Sequence, residues 1–315
     1  MAEYDIIIIG SGPAGLTAAI YAGRALVKTL VVAGRLSGGQ LMLTSGVENF
    51  PGFHDGIQGP ELMQEMKKQA ERFSVQLLED DAESVDFSRR PFKVTVGGKI
   101  HTSKAIIIAT GSSAKWLGLL SEERLRGRGI SSCATCDGYF FRGKRVVVVG
   151  GGDTAVEEAL FLTKYATEVI VVHRRGELRA SKIMQKRALS NEKIKFVWES
   201  VIDDVLGKQG VEGVRLKNVK TGEQSIVPCD GVFVAIGFEP NTKIFGGQVR
   251  LDEKGYILTR EGTRASVDGV FVAGDVHDFK YRQAVTAAGE GCKAALDAFA
   301  YLEEQKEVTL TAKEK

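Results

Sequence analysis

The sequence predicts an α/β protein made of two parallel-sheet domains, the second inserted into the first. Three observations predict it. The chain has 315 residues, which is room for two domains of about 150 residues each. A strand–turn–helix–strand unit occurs twice, at residues 5–33 and 145–173. A later strand pattern, Val270-Phe271-Val272-Ala273, has no turn of that kind before it and is followed by a helical stretch from Ala284 to Leu302. The tail is therefore read as returning to complete the first domain. The expected bounds are 1–113 with 242–315 for the first domain and 114–241 for the second, with loop-like crossings at 112–116 and 238–243.

Each element has a local reason. Ile6–Ile9 and Val146–Val149 are short, bounded β-branched runs, the pattern of strands buried on both faces. The first runs into Gly10-Ser11-Gly12-Pro13-Ala14-Gly15 and the second into Gly150-Gly151-Gly152-Asp153-Thr154-Ala155. These are G-x-G-x-x-G and G-x-G-x-x-A turns, each set between a strand and an alanine-rich helical stretch. In such turns the first glycine permits a tight bend and the second lets backbone approach a pyrophosphate. The third lets the helix pack closely on the strand. The helix N-terminus adds N–H groups and partial positive charge for the anion. Two copies in matching context predict two Rossmann-like, three-layer dinucleotide-binding domains. Ala105–Ala109 and Val232–Ile236 supply a further strand to each. Leu62, Met63, Met66, Ala70 and Phe73 have helical spacing and are read as core.

Composition excludes several classes. Hydrophobic residues are 43% and charged residues 26%, so the chain is not disordered. The net charge of +2 gives no reason to expect nucleic acid or an anionic membrane as partner. No stretch approaches the ~18 apolar residues of a membrane helix, and the N-terminus has no basic segment before its short apolar run. The expected location is the cytoplasm. Four cysteines do not make a disulfide scaffold there. Cys229 and Cys292 are read as small buried hydrophobes.

The two turns differ downstream. After the second, the strand ends in His173-Arg174-Arg175-Gly176-Glu177-Leu178-Arg179. An acid at this position bonds a ribose 2′-hydroxyl, whereas arginine accommodates a 2′-phosphate. Three forked, permanently charged guanidinium groups suit the phosphate, so NADPH is assigned to the second domain. After the first turn the same offset gives Ala33-Gly34-Arg35, without an acid, and leaves that ligand open.

Cys133-Ala134-Thr135-Cys136-Asp137 precedes the second repeat. A C-x-x-C pair ligates zinc, cycles between dithiol and disulfide, or is inert. Zinc needs about four ligands. There is no second pair, and His54, His101, His173 and His277 are scattered, so redox chemistry is favoured and no metal is expected. Asp137 can move the proton that exchange requires. A disulfide is a poor hydride acceptor, whereas a flavin takes hydride and passes electrons on. That need points to FAD in the first domain.

CATCDGYFF at 133–141 resembles the redox motif of low-molecular-weight thioredoxin reductases. So do GSGPAG, GGQL (38–41), ENFPGF (48–53), HRRGELR (173–179), VFVAGD (270–275) and RQAVTAAGEG (282–291). The resemblance runs through nearly the whole chain and implies the FAD/NAD(P)-binding fold. It implies FAD contacts from the 10–15 turn, Gly39, Gln40, Asn49, Gly274, Asp275, Arg282, Gln283 and Ala284. It implies NADPH contacts from Gly150, Gly152, Asp153, Thr154, His173, Arg174, Arg175 and Arg179. Cys136 would face the flavin, Cys133 would attack the substrate disulfide, and Asp137 would be the acid–base. The partners implied are thioredoxin and a second copy of the chain, and the NADPH domain is expected to swing between two orientations. The tail from Glu303 to Lys315 has no cysteine, which argues against the larger thioredoxin reductase class. Two alternatives stand beside this: a related flavin reductase serving a peroxidase system, and a non-enzymatic dinucleotide redox sensor.

Overall fold

The computed structural model describes residues 3–44 and 46–313, with side chains through residue 307. The chain divides into two compact units, one of residues 1–113 and 239–315, the other of residues 114–238.

The first unit opens with β1 (Tyr4–Ile9), α1 (Pro13–Arg24) and β2 (Thr29–Val32). Then come α2 (Gly59–Arg72), β3 (Gln76–Leu78), β4 (Ala82–Asp86), β5 (Phe92–Val96) and β6 (Lys99–Ile108). β1 lies parallel to both β2 and β6, and β2 is parallel to β3. Ile6 and Ile8 enter one apolar cluster and Ile7 and Ile9 another. That alternation is what a strand covered on both faces must show. In α2, Leu62, Met63, Met66 and Ala70 are buried, and Phe73 follows the helix as its C-cap.

The second unit contains α3 (Leu120–Leu125), β7 (Ile130–Ser131) and α4 (Ala134–Asp137). Its repeat is β8 (Arg145–Val149), α5 (Asp153–Leu162) and β9 (Glu168–Val172). It continues with α6 (Lys182–Leu189), β10 (Ile194–Val197), β11 (Ser200–Leu206), β12 (Gly213–Asn218), β13 (Gln224–Pro228) and β14 (Gly231–Val234). A parallel sheet runs β7-β14-β8-β9-β10. Val146 and Val148 pack with Ala155, Val156 and Ala159 of α5 on one face. Val147 and Val149 pack on the other with Ile202, Val205, Val214 and Leu216. The third layer is thus the antiparallel β11-β12-β13 sheet and not a second layer of helices.

Back in the first unit, β15 (Val270–Val272) pairs parallel with β6, and α7 (Ala284–Lys313) follows. β6 divides its outer edge. Residues 99–103 take β5 antiparallel and 106–108 take β15 parallel. The returning tail therefore completes the first sheet. Helices α1 and α7 cover one face, through Ala18, Ala19, Ala294, Ala295 and Ala298. The other face is covered by Phe87, Phe92, Phe245 and Val249.

One expectation needs correction. Cys229 is buried, and burial pushes its thiol up to about 12. Cys292 is only half-buried, and its hydrogen-bonding neighbour Tyr21 is exposed.

Candidate active site

At the end of β1 the backbone turns at Gly10, where φ is +113° and a Cβ would lie 2.2 Å from Ala109 O. Only glycine fits both limits. Gly15 is equally close-packed, since a Cβ there would meet Gly10 O at 2.0 Å. Gly12 is different: a Cβ on it would meet nothing within 4 Å. It is the N-cap of α1, Pro13 follows at the first turn, and no side chain caps the helix. An uncapped helix start beside open space is what an entering anion requires.

Other loops close on this turn. Ser11 Oγ donates to Ala33 O at 2.7 Å and accepts Gly38 N–H at 2.9 Å. This brings Gly39 over Gly12, where a Gly39 Cβ would lie 3.5 Å from Gly12 Cα. Gln40 follows on the same short 3-10 turn. Gly274 approaches from β15, and its Cβ would lie 3.0 Å from Ala14 Cβ. Asp275 is beside it. Burial pushes its carboxyl up to about 7, against the opposing charge of Arg282. Asn49 Nδ2 donates to Gln283 Oε1 at 3.3 Å, directly before Ala284 opens α7. A cavity of about 500 Å³ is lined by residues 48–54.

The second unit repeats the design. Gly150 has φ +147°, and its Cβ would lie 2.5 Å from Ala235 O. Gly152 opens α5, which has no side-chain cap, and its Cβ would meet nothing within 4 Å. Thr154 is half-buried in the first turn of α5. Asp153 Oδ1 accepts Ser181 N–H at 2.8 Å, and that bond with the Ser181 hydroxyl holds its carboxyl below the usual range. Asp153 thus ties the start of α6 to the turn. Arg179 N donates to Gly151 O at 2.7 Å, which fixes the arginine-bearing loop to the glycines. Arg174, Arg175 and Arg179 are exposed, and among the described residues none has a carboxylate in ion-pair range. His173 is 5% exposed. Its ring occupies the space a Gly151 Cβ would need, at 2.4 Å, and meets Trp198 edge-on. Burial, then the charges of Arg179, Arg175 and Arg174, push this imidazole down. It supports the turn as a neutral ring.

The two sulfurs lie on α4. Cys133 and Cys136 form a disulfide with Cα atoms 5.3 Å apart. Cys133 is the N-cap, and its Sγ accepts Cys136 N–H at 3.2 Å. Ala134, 1% exposed, anchors the helix inward. Ser131 Oγ accepts Cys133 N–H at 3.0 Å. Burial raises the Asp137 carboxyl, and a hydrogen bond from Ser131 opposes that only in part. A carboxyl whose neutral form is favoured by burial therefore follows the disulfide in the chain, with Tyr139 and Phe140 exposed next to it.

Residues 4–291 match the family described as pyridine nucleotide-disulphide oxidoreductase. The chain belongs to this family. A thioredoxin reductase of Rickettsia conorii is 53% identical to this oxidoreductase over 302 residues, 94% of this chain and 97% of that one. One of Streptomyces coelicolor is 54% identical over 301 residues, 95% of this chain and 94% of that one. The crystal structure of thioredoxin reductase from Streptococcus pyogenes superposes with a TM-score of 0.92 at 41% identity, covering 96% of this chain and 98% of that one. Thioredoxin reductase from Giardia duodenalis superposes at 0.91 with 45% identity, covering 96% and 100%.

For this oxidoreductase, sequence reading did not single out Ser131, Trp198 or Ser181. Each acts through a partner many residues away or across a turn, and none lies in a recognisable pattern. Gly38 belonged to a quoted motif, and its φ of +105° and its bond to Ser11 give it a definite structural task.

Proposed function

We propose that this chain is an NADPH-dependent, FAD-containing reductase of the thioredoxin disulfide, cytoplasmic and homodimeric. The observation that carries the reading is the Cys133–Cys136 disulfide followed by a half-buried Asp137, in the unit that also holds the arginine-flanked glycine turn. The family and the two relatives above 50% identity support the reaction class. Among the described residues no helix is long and apolar enough to cross a membrane.

The first unit fits FAD. Gly12 and Gly39 leave a side-chain-free gap at an uncapped helix start, and backbone N–H groups there suit a pyrophosphate. The Gly10–Gly15 turn, Gly39, Gln40, Asn49, Gly274, Asp275, Arg282, Gln283 and Ala284 would hold it. The chemistry FAD supplies when bound is two-electron transfer from reduced nicotinamide to a disulfide. Gly150, Gly152 and Thr154 would take the NADPH pyrophosphate, and Arg174, Arg175 and Arg179 its 2′-phosphate. Asp153 and His173 serve by fixing the loop and the turn.

Two electrons and two protons convert Cys133–Cys136 to a dithiol. Cys133 then attacks one sulfur of the partner disulfide, forming a mixed disulfide and expelling the first partner thiolate. Asp137 takes the proton of the attacking Cys133 thiol and passes it to that departing sulfur. Cys136 attacks Cys133 and restores the intramolecular disulfide, and its thiol proton goes to the second partner sulfur, which leaves as a thiol. The Cys136 N–H aimed at Cys133 Sγ favours a thiolate at the attacking position.

Anaerobic NADPH titration of the full-length protein, followed by oxidised thioredoxin, tests this. A yellow absorbance should bleach with NADPH and return on adding thioredoxin. The Cys136→Ser protein should keep its colour, lose turnover and accumulate a mixed disulfide through Cys133. Full turnover by that variant would sink the assignment.

A further inference from the structure

Behind the Gly274-Asp275 turn lies a pair that the reaction itself does not use. Glu290 is on α7, and its Oε2 accepts Gly274 N–H at 2.6 Å. The same oxygen lies 2.9 Å from His277 Nε2. The His277 backbone N–H in turn donates to Gly274 O at 3.1 Å. One carboxylate oxygen thus joins a helix, a strand end and the turn that follows. Burial would lift the Glu290 carboxyl, but the His277 hydrogen bond and charge, with the Gly274 N–H, outweigh it and hold it below the usual glutamate range.

The surroundings leave little room for drift. Gly274 has φ +80°, and its Cβ would lie 3.0 Å from Ala14 Cβ. Gly291, next to Glu290, packs so closely that its Cβ would lie 2.0 Å from Ala14 O. The turn and α7 are therefore both registered against the Gly10–Gly15 turn, and Glu290 ties the two together.

We propose that His277 and Glu290 are positioning residues for the flavin, holding the Gly274-Asp275 turn against the Gly10–Gly15 turn in the arrangement that receives FAD. The proposal rests on the reading of the first unit as the FAD site. Asp275 reports on the pair. It faces Arg282 and Tyr256, Asp278 and His277 of its own turn, and Glu290 of α7. Glu290 raises its carboxyl and His277 lowers it, so removing one or the other moves Asp275 in opposite directions.

The test uses full-length protein stripped of FAD, with FAD added back and its fluorescence followed between pH 5.5 and 8.5. Wild type is compared with Glu290→Ala, Glu290→Gln, His277→Ala and the double alanine variant, and the melting temperature of each FAD-free protein is recorded. Glu290→Ala should raise the FAD Kd about tenfold or more, since a buried N–H loses a charged acceptor. Glu290→Gln, which keeps an acceptor, should recover most of it. The double variant should be no worse than Glu290→Ala. The pH inflection near that of Asp275 should move down in Glu290→Gln and up in His277→Ala. If wild type takes up no FAD, the flavin reading falls and the proposal with it. If wild type binds while both alanine variants match it within twofold, the proposal alone is overturned. It is overturned as well if affinity falls only in step with melting temperature and the inflection stays in place.

Discussion

Asn49 donates its side-chain amide to Gln283 Oε1 at 3.3 Å, joining the loop before α2 to the residue that precedes α7, 234 positions later. The bond spans the whole inserted unit in sequence but stays within the first unit. It holds two loops that flank the proposed flavin site. Gln283 Nε2 is used in the opposite direction, donating to Arg282 O at 2.9 Å, so its carbonyl is oriented toward Asn49.

Asn49→Ala should therefore loosen FAD. One neutral hydrogen bond contributes about 1 kcal/mol, close to a fivefold change in Kd. Gln283→Leu should do at least as much, because it also frees the Arg282 carbonyl. Flavin retained after dialysis, read by visible absorbance, checks both. Wild-type retention by Asn49→Ala would show that the loops need no such link.

Asp137 gives a pH signature. Its carboxyl is raised in the folded protein, so between the unfolded value and the folded one the native state binds more protons. Stability then falls as pH rises through that window. Asp137→Asn removes this slope, and the variant should gain stability relative to wild type as pH increases. Its disulfide reduction should drop about 100-fold, the range of a lost general acid. Melting curves across pH, set beside thioredoxin turnover, separate the two effects. A variant that kept full turnover would remove Asp137 from the proton path.

On the proposed reading, the arginine loop sets nucleotide choice. Arg174, Arg175 and Arg179 are exposed and their side chains lack carboxylate partners among the described residues, so they are available to a phosphate. A charged hydrogen bond contributes about 1.5–3 kcal/mol. Arg174→Gln with Arg175→Gln should raise the KM for NADPH at least about 10-fold, leave kcat near wild type and leave NADH use unchanged. Equal losses with both nucleotides would place these residues elsewhere than at the 2′-phosphate.

The repeat was legible because its constraints are local. Gly10 and Gly150 need positive φ and a bare Cα, and a run such as Val146–Val149 reads as a strand buried on both faces. The buried stripe of α2 was legible for the same reason. The covering layers were not. Phe87 and Val249 reach the first sheet from loops and Phe245 from a three-residue 3-10 turn, none with a periodic pattern. Val214 and Leu216 do alternate on β12, but alternation alone does not say which sheet they cover. Nor could the sequence show that Ser11 is spent on Ala33 and Gly38, Asp153 on Ser181, or His173 on filling space under Gly151. A motif marks where a residue stands, while its hydrogen-bond partner comes from a distant segment.

The two kinds of glycine in each turn should separate in experiment. At Gly10 and Gly150 a Cβ would overlap backbone oxygen at 2.2 Å and 2.5 Å, in a region of φ that other residues avoid. Gly10→Ala and Gly150→Ala should disrupt the fold itself and lower the melting temperature of ligand-free protein by several degrees. Gly12 and Gly152 have φ of −69° and −90° with extended ψ, and an added methyl would meet nothing within 4 Å. Nothing in the protein requires glycine there. Only a ligand drawn close to the backbone would collide with the methyl. Gly12→Ala should therefore melt like wild type when stripped of FAD, yet bind FAD at least tenfold more weakly. Gly152→Ala should keep its flavin and its melting temperature while its KM for NADPH rises. Measuring ligand-free melting and ligand affinity on the same four proteins decides it. Unchanged affinities in Gly12→Ala and Gly152→Ala would mean that neither turn carries a nucleotide in the way proposed.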